Sequence, residues 1–80
     1  MENIIKEIRT DNELTQTELA TISGCGYQTI FDLEHFNRAE INEKVLQVLE
    51  KLGHYEAEDI KYNYDYQRQQ YQEEKLQELA

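Results

Sequence analysis

Residues 14–34, LTQTELATISGCGYQTIFDLE, decide the architecture of this chain. Thr15-Gln16-Thr17-Glu18 has the form of a capping box. The Thr15 hydroxyl accepts from the Glu18 amide while the Glu18 side chain reaches back to the Thr15 amide, satisfying two donors at a helix start. Leu19, Ala20 and Ile22 then fall on the inward side of a short helix. Ser23-Gly24 stops it, because glycine just past a helix end adopts a left-handed conformation without steric cost. Cys25 points back between two helices. Gly26 opens a second short helix, although Ser or Thr would cap it more strongly. In that helix Ile30 and Leu33 supply the buried stripe, and Tyr27, Gln28 and Asp32 lie around the other side. The stretch is therefore two short helices joined by a tight turn.

Working outward, residues 2–12 place Ile4, Ile5 and Ile8 at the spacing of an amphipathic helix that ends in the polar pair Asp11-Asn12. Residues 35–42, HFNRAEIN, are a polar connection in which Asn42 or Asn37 can cap the next helix. Val45, Leu46, Leu49 and Leu52 recur at helical spacing up to Gly53. Residues 55–60 fit a short fifth helix. Tyr62, Tyr64 and Tyr66 alternate with polar residues, the only strand-like signal in the chain, while residues 67–80 favour helix. The organisation expected is a domain over 1–60 and an extension over 61–80, a docked helix or a dimerisation arm. The fold class expected is all-α, a compact bundle of about five helices, plus a Tyr-rich C-terminal strand or helical extension.

Composition narrows the function. Eight Lys and Arg against seventeen Asp and Glu give a formal charge of −9 over 80 residues. That balance opposes bulk attraction to nucleic acid or to anionic membranes. The single cysteine permits no intrachain disulfide and no thiolate zinc cluster, and a lone thiol suits a reducing cytoplasm. The start of the chain carries no long apolar run, so neither a signal peptide nor a membrane span is expected. No nucleophile stands beside a base, and no glycine loop cradles phosphate. His35 and His54 lack partner ligands, so neither an enzyme, a metal site nor a cofactor is expected. Cys25 reads as a small apolar filler.

Order and spacing then point to a family. Leu14-Thr15-Gln16-Thr17-Glu18-Leu19-Ala20, Gly24, Ile30, Leu33-Glu34 and Leu52-Gly53 together resemble the helix-turn-helix proteins of the lambda repressor and Cro type, the XRE family. The resemblance covers residues 4–60. It implies a bundle whose second helix crosses the DNA backbone and whose third lies in the major groove. It also implies an ion pair between Arg9 and Glu34, whose rupture would strand a buried charge at about 3–5 kcal/mol. The family's DNA-contacting positions map onto Gln16, Thr17, Tyr27, Gln28, Thr29 and Asp32, with Arg38 and Lys44 as the nearby cations. Gln16 corresponds to the glutamine that contacts the DNA backbone and braces the recognition helix. Gln28 suits a bidentate contact with adenine, and Thr29 a phosphate or a base edge. Tyr27 suits a sugar or a thymine methyl.

Two features depart from the family pattern. Asp32 puts a carboxylate where a neutral or basic residue is usual, and His35-Phe36 replaces an Asn-Gly turn. The function implied is a sequence-specific transcriptional regulator, a small phage- or mobile-element-type repressor that binds a pseudo-palindromic operator in double-stranded DNA as a homodimer. The acidic surface, Asp32 and the tyrosine-rich tail favour a second reading. In it the same scaffold serves as a protein-interaction module, such as an antirepressor, antitoxin or inhibitor.

Overall fold

The computed structural model describes residues 2–79. Residues 1 and 80, the outer limits of the two segments expected from sequence, lie outside the described residues. Five α-helices follow one another: α1 (Ile4–Asp11), α2 (Gln16–Ser23), α3 (Tyr27–Glu34), α4 (Glu43–Gly53) and α5 (Ala57–Leu79). No strand occurs among the described residues. Helix α1 packs on α3, α4 and α5, α2 packs on α3 and α4, and α4 packs on α5. One core joins them, built from Ile4, Ile5, Ile8, Leu19, Ile30, Leu33, Val45, Leu46, Leu49, Ile60 and Tyr64 among others.

Local chemistry explains each boundary. The Asn3 side chain accepts from Lys6 N at the start of α1, and its amide also donates to Leu33 O at 3.1 Å, tying α1 to α3. The Thr15–Glu18 capping box forms with both hydrogen bonds present. At the other end of α2, Cys25 N bonds Ala20 O and Gly24 N bonds Thr21 O, with Gly24 left-handed at φ 69°. That paired pattern is a Schellman motif. Asn42 caps α4 by accepting from Lys44 N. Gly53 closes α4 from inside the helix, and His54 takes the left-handed position after it at φ 57°. The absent side chain of Gly53 matters for packing, because a Cβ there would stand 3.0 Å from Ile8 Cδ1 and 3.0 Å from Tyr55 Cδ2.

In the C-terminal region the helical alternative of the sequence expectation is the one that forms. The tyrosine alternation forms no strand, and residues 57–79 are one continuous helix that absorbs the expected short fifth helix. A lone strand would have had no neighbour to satisfy its backbone groups, whereas a helix satisfies them internally. Ile60, Tyr64, Gln67 and Tyr71 then share one face at helical spacing and meet the bundle, while Tyr62 and Tyr66 are 70% and 53% exposed. The expected division between 60 and 61 also falls inside α5, and Tyr64 from beyond it belongs to the core. Gln67 Oε1 accepts from Ile4 N at 2.8 Å, so α5 caps the start of α1. Only residues 72–79 are exposed throughout.

Two smaller expectations also change. Ile22 points outward and is 55% exposed. Phe36, placed by sequence in a polar connection, is buried against Tyr64 and Tyr71, with ring centroids at 5.6 and 5.3 Å. No helix among the described residues is long and apolar enough to cross a membrane.

Candidate nucleic-acid interface

Helix α3 buries Ile30, Leu33 and Glu34. Its opposite side therefore carries Tyr27, Gln28, Phe31, Asp32 and His35, as the helical period requires. Two fixtures hold that helix in place. At its C-terminal end, Glu34 receives Arg9 Nε at 2.7 Å and Arg9 Nη2 at 2.9 Å, a bidentate pair with side-chain exposures of 12% for Arg9 and 2% for Glu34. The Glu34 hydrogen bond, opposed only partly by burial, raises the Arg9 guanidinium above its ordinary value. Arg9 Nη1 also donates to Leu14 O at 2.8 Å, so the pair fastens α1, α3 and the segment entering α2 together. The second fixture is the α2–α3 turn, whose Schellman bonds fix where α3 begins.

The candidate residues separate into groups. Gln16 sits half-buried at the start of α2, and its Nε2 donates to Glu34 Oε1 at 3.2 Å. It therefore joins the Arg9–Glu34 pair and braces α2 against α3. Thr17 is exposed beside it, and its carbonyl accepts from the Thr21 hydroxyl. Thr29 is half-buried, with its backbone N–H bonded to Gly26 O. Tyr27 is 47% exposed and its ring tilts against Phe31, which in turn stacks on His35 with centroids 4.0 Å apart. Lys44 is exposed at the start of α4.

Gln28, Asp32 and Arg38 form a connected set. Gln28 Nε2 donates to Asp32 Oδ1 at 2.8 Å, and Arg38 Nη2 approaches Asp32 Oδ2 at 3.3 Å. The hydrogen bond from Gln28 outweighs the opposing effect of burial and, with smaller contributions from Asn37 and Arg38, holds the Asp32 carboxyl below the usual aspartate range. Arg38 is itself placed from behind, because Tyr64 donates its hydroxyl to Arg38 O at 2.7 Å. Burial at that position pushes the Tyr64 phenol up to about 12.

Both cations near the site, Arg38 and Lys44, lie close enough to Cys25 to oppose the upward push that burial gives its thiol. Burial prevails, so Cys25 is raised and stays a thiol. Helices α2 and α3 themselves contain neither lysine nor arginine.

Sequence reasoning missed Phe31 and His35 as part of the exposed surface. The signal was present, because Tyr27, Phe31 and His35 stand at i, i+4 and i+8 on one helical face. It missed Tyr64 as a support of the site because its bond to Arg38 O spans 26 residues. Compared with family models, curated proteins and solved structures, the chain matches none.

Proposed function

We propose that this chain is a sequence-specific DNA-binding regulator of the lambda repressor and Cro type, a small repressor acting in the cytoplasm as a homodimer on a pseudo-palindromic operator. The observation that carries the reading is the outward face of α3. Gln28 presents a positioned amide there, beside a carboxylate whose charge Arg38 offsets. The bracing of α3 by Arg9, Glu34 and Gln16 supports it, because a helix that reads base edges must be held rigidly. In this reading α3 enters the major groove, Gln28, Tyr27 and Thr29 meet base edges, and Gln16, Thr17 and Lys44 approach phosphates.

Few cations face the DNA, so the salt dependence is shallow. Each neutralised phosphate contributes a slope of about −0.9 in log affinity against log salt, and with Arg38 engaged by Asp32 the one remaining cation, Lys44, gives roughly −1. Selection from a random duplex library, followed by salt titration on the selected site, tests the proposal. Enrichment of a palindromic motif with a shallow slope is the expected result. A slope of roughly −6 or steeper would contradict these contacts.

The distal end of α5 is the candidate dimer contact, because Leu76 and Leu79 are 67% and 85% exposed on a segment without packing partners in the described chain. Truncation after Tyr71 keeps Tyr64 and Gln67 in place. Sedimentation should show weakened self-association with the unfolding transition retained.

A protein-interaction role is favoured by a different observation. Tyr27, Phe31 and His35 make an aromatic strip along α3 on a helix pair that carries no basic residue. In that reading the selection enriches nothing, and alanine at Tyr27 or Phe31 abolishes binding to a protein partner while alanine at Gln28 does little.

A further inference from the structure

Asp32 is the least expected residue on a DNA-reading helix, and its two oxygens are both engaged. One accepts from Gln28 Nε2 at 2.8 Å and the other faces Arg38 Nη2 at 3.3 Å. A carboxylate only accepts hydrogen bonds, so the group that Gln28 turns toward it must be the amide nitrogen. A glutamine free on a helix surface rotates about its last torsion and offers either end of its amide. Here one N–H is committed. The amide keeps one N–H donor and its carbonyl acceptor for a ligand.

That remaining pair has a chemical match. In the major groove adenine offers one acceptor, N7, and one donor, the N6 amino group. Guanine offers two acceptors, N7 and O6. One donor plus one acceptor satisfies adenine. Guanine would find a single donor and would set its O6 against the glutamine carbonyl.

Resting on the proposed DNA-reading role of α3, we propose that Asp32 is a positioning residue. It holds the Gln28 amide in the sense that selects adenine over guanine, and Arg38, 3.3 Å from its other oxygen, offsets its charge against the phosphates. Asp32 then needs no base of its own. Arg38 serves Asp32 first, which leaves it less available to phosphate. The arrangement depends on the loop after α3. Asn37 N bonds Asp32 O at 2.8 Å, and Tyr64 holds Arg38 through its carbonyl.

Random-library selection with the full wild-type chain, Gln28→Ala and Asp32→Ala tests this, with circular dichroism to verify that each variant is folded. In the wild type, one position of each half-site is expected to favour adenine. Gln28→Ala should lose that preference, about five- to 150-fold by the usual worth of a bidentate base contact. Asp32→Ala should relax adenine over guanine at the same position by about fivefold or more while leaving other positions unchanged. It should also steepen the salt slope by about 0.9, because Arg38 is released to a phosphate. A purely structural Asp32 would move neither quantity. If Asp32→Ala keeps the wild-type adenine preference at the Gln28 position, the positioning role is overturned and the DNA-reading role stands. If the wild type enriches no sequence, the DNA-reading role itself is overturned, and this inference with it.

Discussion

At the turn before α3 the left-handed residue is Gly24, exposed, with nothing within 4 Å of where a Cβ would stand. At the turn after α3 it is Phe36, at φ 58° and with only 7% of its surface exposed. Glycine takes such a conformation freely, whereas a side chain there costs about 1–2 kcal/mol. The first turn is therefore specified by its own residues. The second is strained at the backbone and held by its ring, which packs on Tyr64 and Tyr71 of α5. The two ends of one helix thus draw on different parts of the chain. The leading end, with Tyr27 and Gln28, is set locally. The trailing end, with Asp32 and Arg38, is set by a helix that begins more than twenty residues later.

The sharpest way to break this contrast is at Phe36. Phe36→Ala is expected to lower stability by about 3–5 kcal/mol, as removal of a buried ring does. Phe36→Gly should lose about 1 kcal/mol less, because it relieves the left-handed strain while deleting the same ring. Urea titration of the two variants measures that difference, and equal losses would show that the Phe36 backbone carries no strain.

Next in size is the pH dependence that Tyr64 imposes on the trailing turn. Its folded pKa of about 12 lies above the ordinary 10.0. The unfolded chain therefore releases the proton first. The contribution is fully present below pH 10 and is lost as pH rises from about 10 toward about 12, amounting to about 2–3 kcal/mol. Tyr64→Phe removes the hydroxyl that donates to Arg38 O, at a cost of about 1 kcal/mol near neutrality. It should also flatten the alkaline loss relative to wild type, which melting curves from pH 8 to pH 12 would show.

The leading turn should respond more mildly. Gly24→Ala is expected to cost about 1 kcal/mol from backbone conformation alone, since no atom obstructs the methyl group. Gly26, the cap of α3, has extended dihedrals open to any residue and makes no side-chain cap bond. Gly26→Ser should gain a few tenths of a kcal/mol by accepting from the first turn of α3. A thermal-shift series ordered Phe36→Ala, Gly24→Ala, wild type, Gly26→Ser would support the comparison.

The same contrast explains what was legible in the sequence. The capping box, the Gly24 stop and the Ile30–Leu33 stripe depend on residues within one or two turns of each other, and each formed as its spacing indicates. The Arg9–Glu34 pair was legible through the family resemblance rather than through local spacing, and the two side chains meet. The alternating tyrosines were ambiguous because a Tyr-X-Tyr pattern fits a strand face over a few residues. Only the wider spacing of Ile60, Tyr64 and Tyr71 distinguishes the helix. Phe36 was hidden because its neighbours in sequence are polar and its partners lie on α5. At the candidate site, Gln28 and Asp32 were legible as neighbours one helical turn apart. The role of Arg38 was not, since it depends on where α5 places the loop.

Gln67 bonding to the amide of Ile4 carries a consequence for the birth of the chain. The acceptor lies 63 residues downstream of the donor it satisfies. On a ribosome, the opening helix emerges with its own Asn3 cap on Lys6 N, but the Ile4 amide must wait for an acceptor not yet synthesised. Helix α2, which carries its own capping box and glycine stop, needs no such delay, and α3 is fixed to it by the turn between them. Folding should therefore begin in the middle and finish by joining the ends, a late, high-contact-order step. Hydrogen exchange at Ile4 would then report the arrival of the last helix rather than the formation of the first.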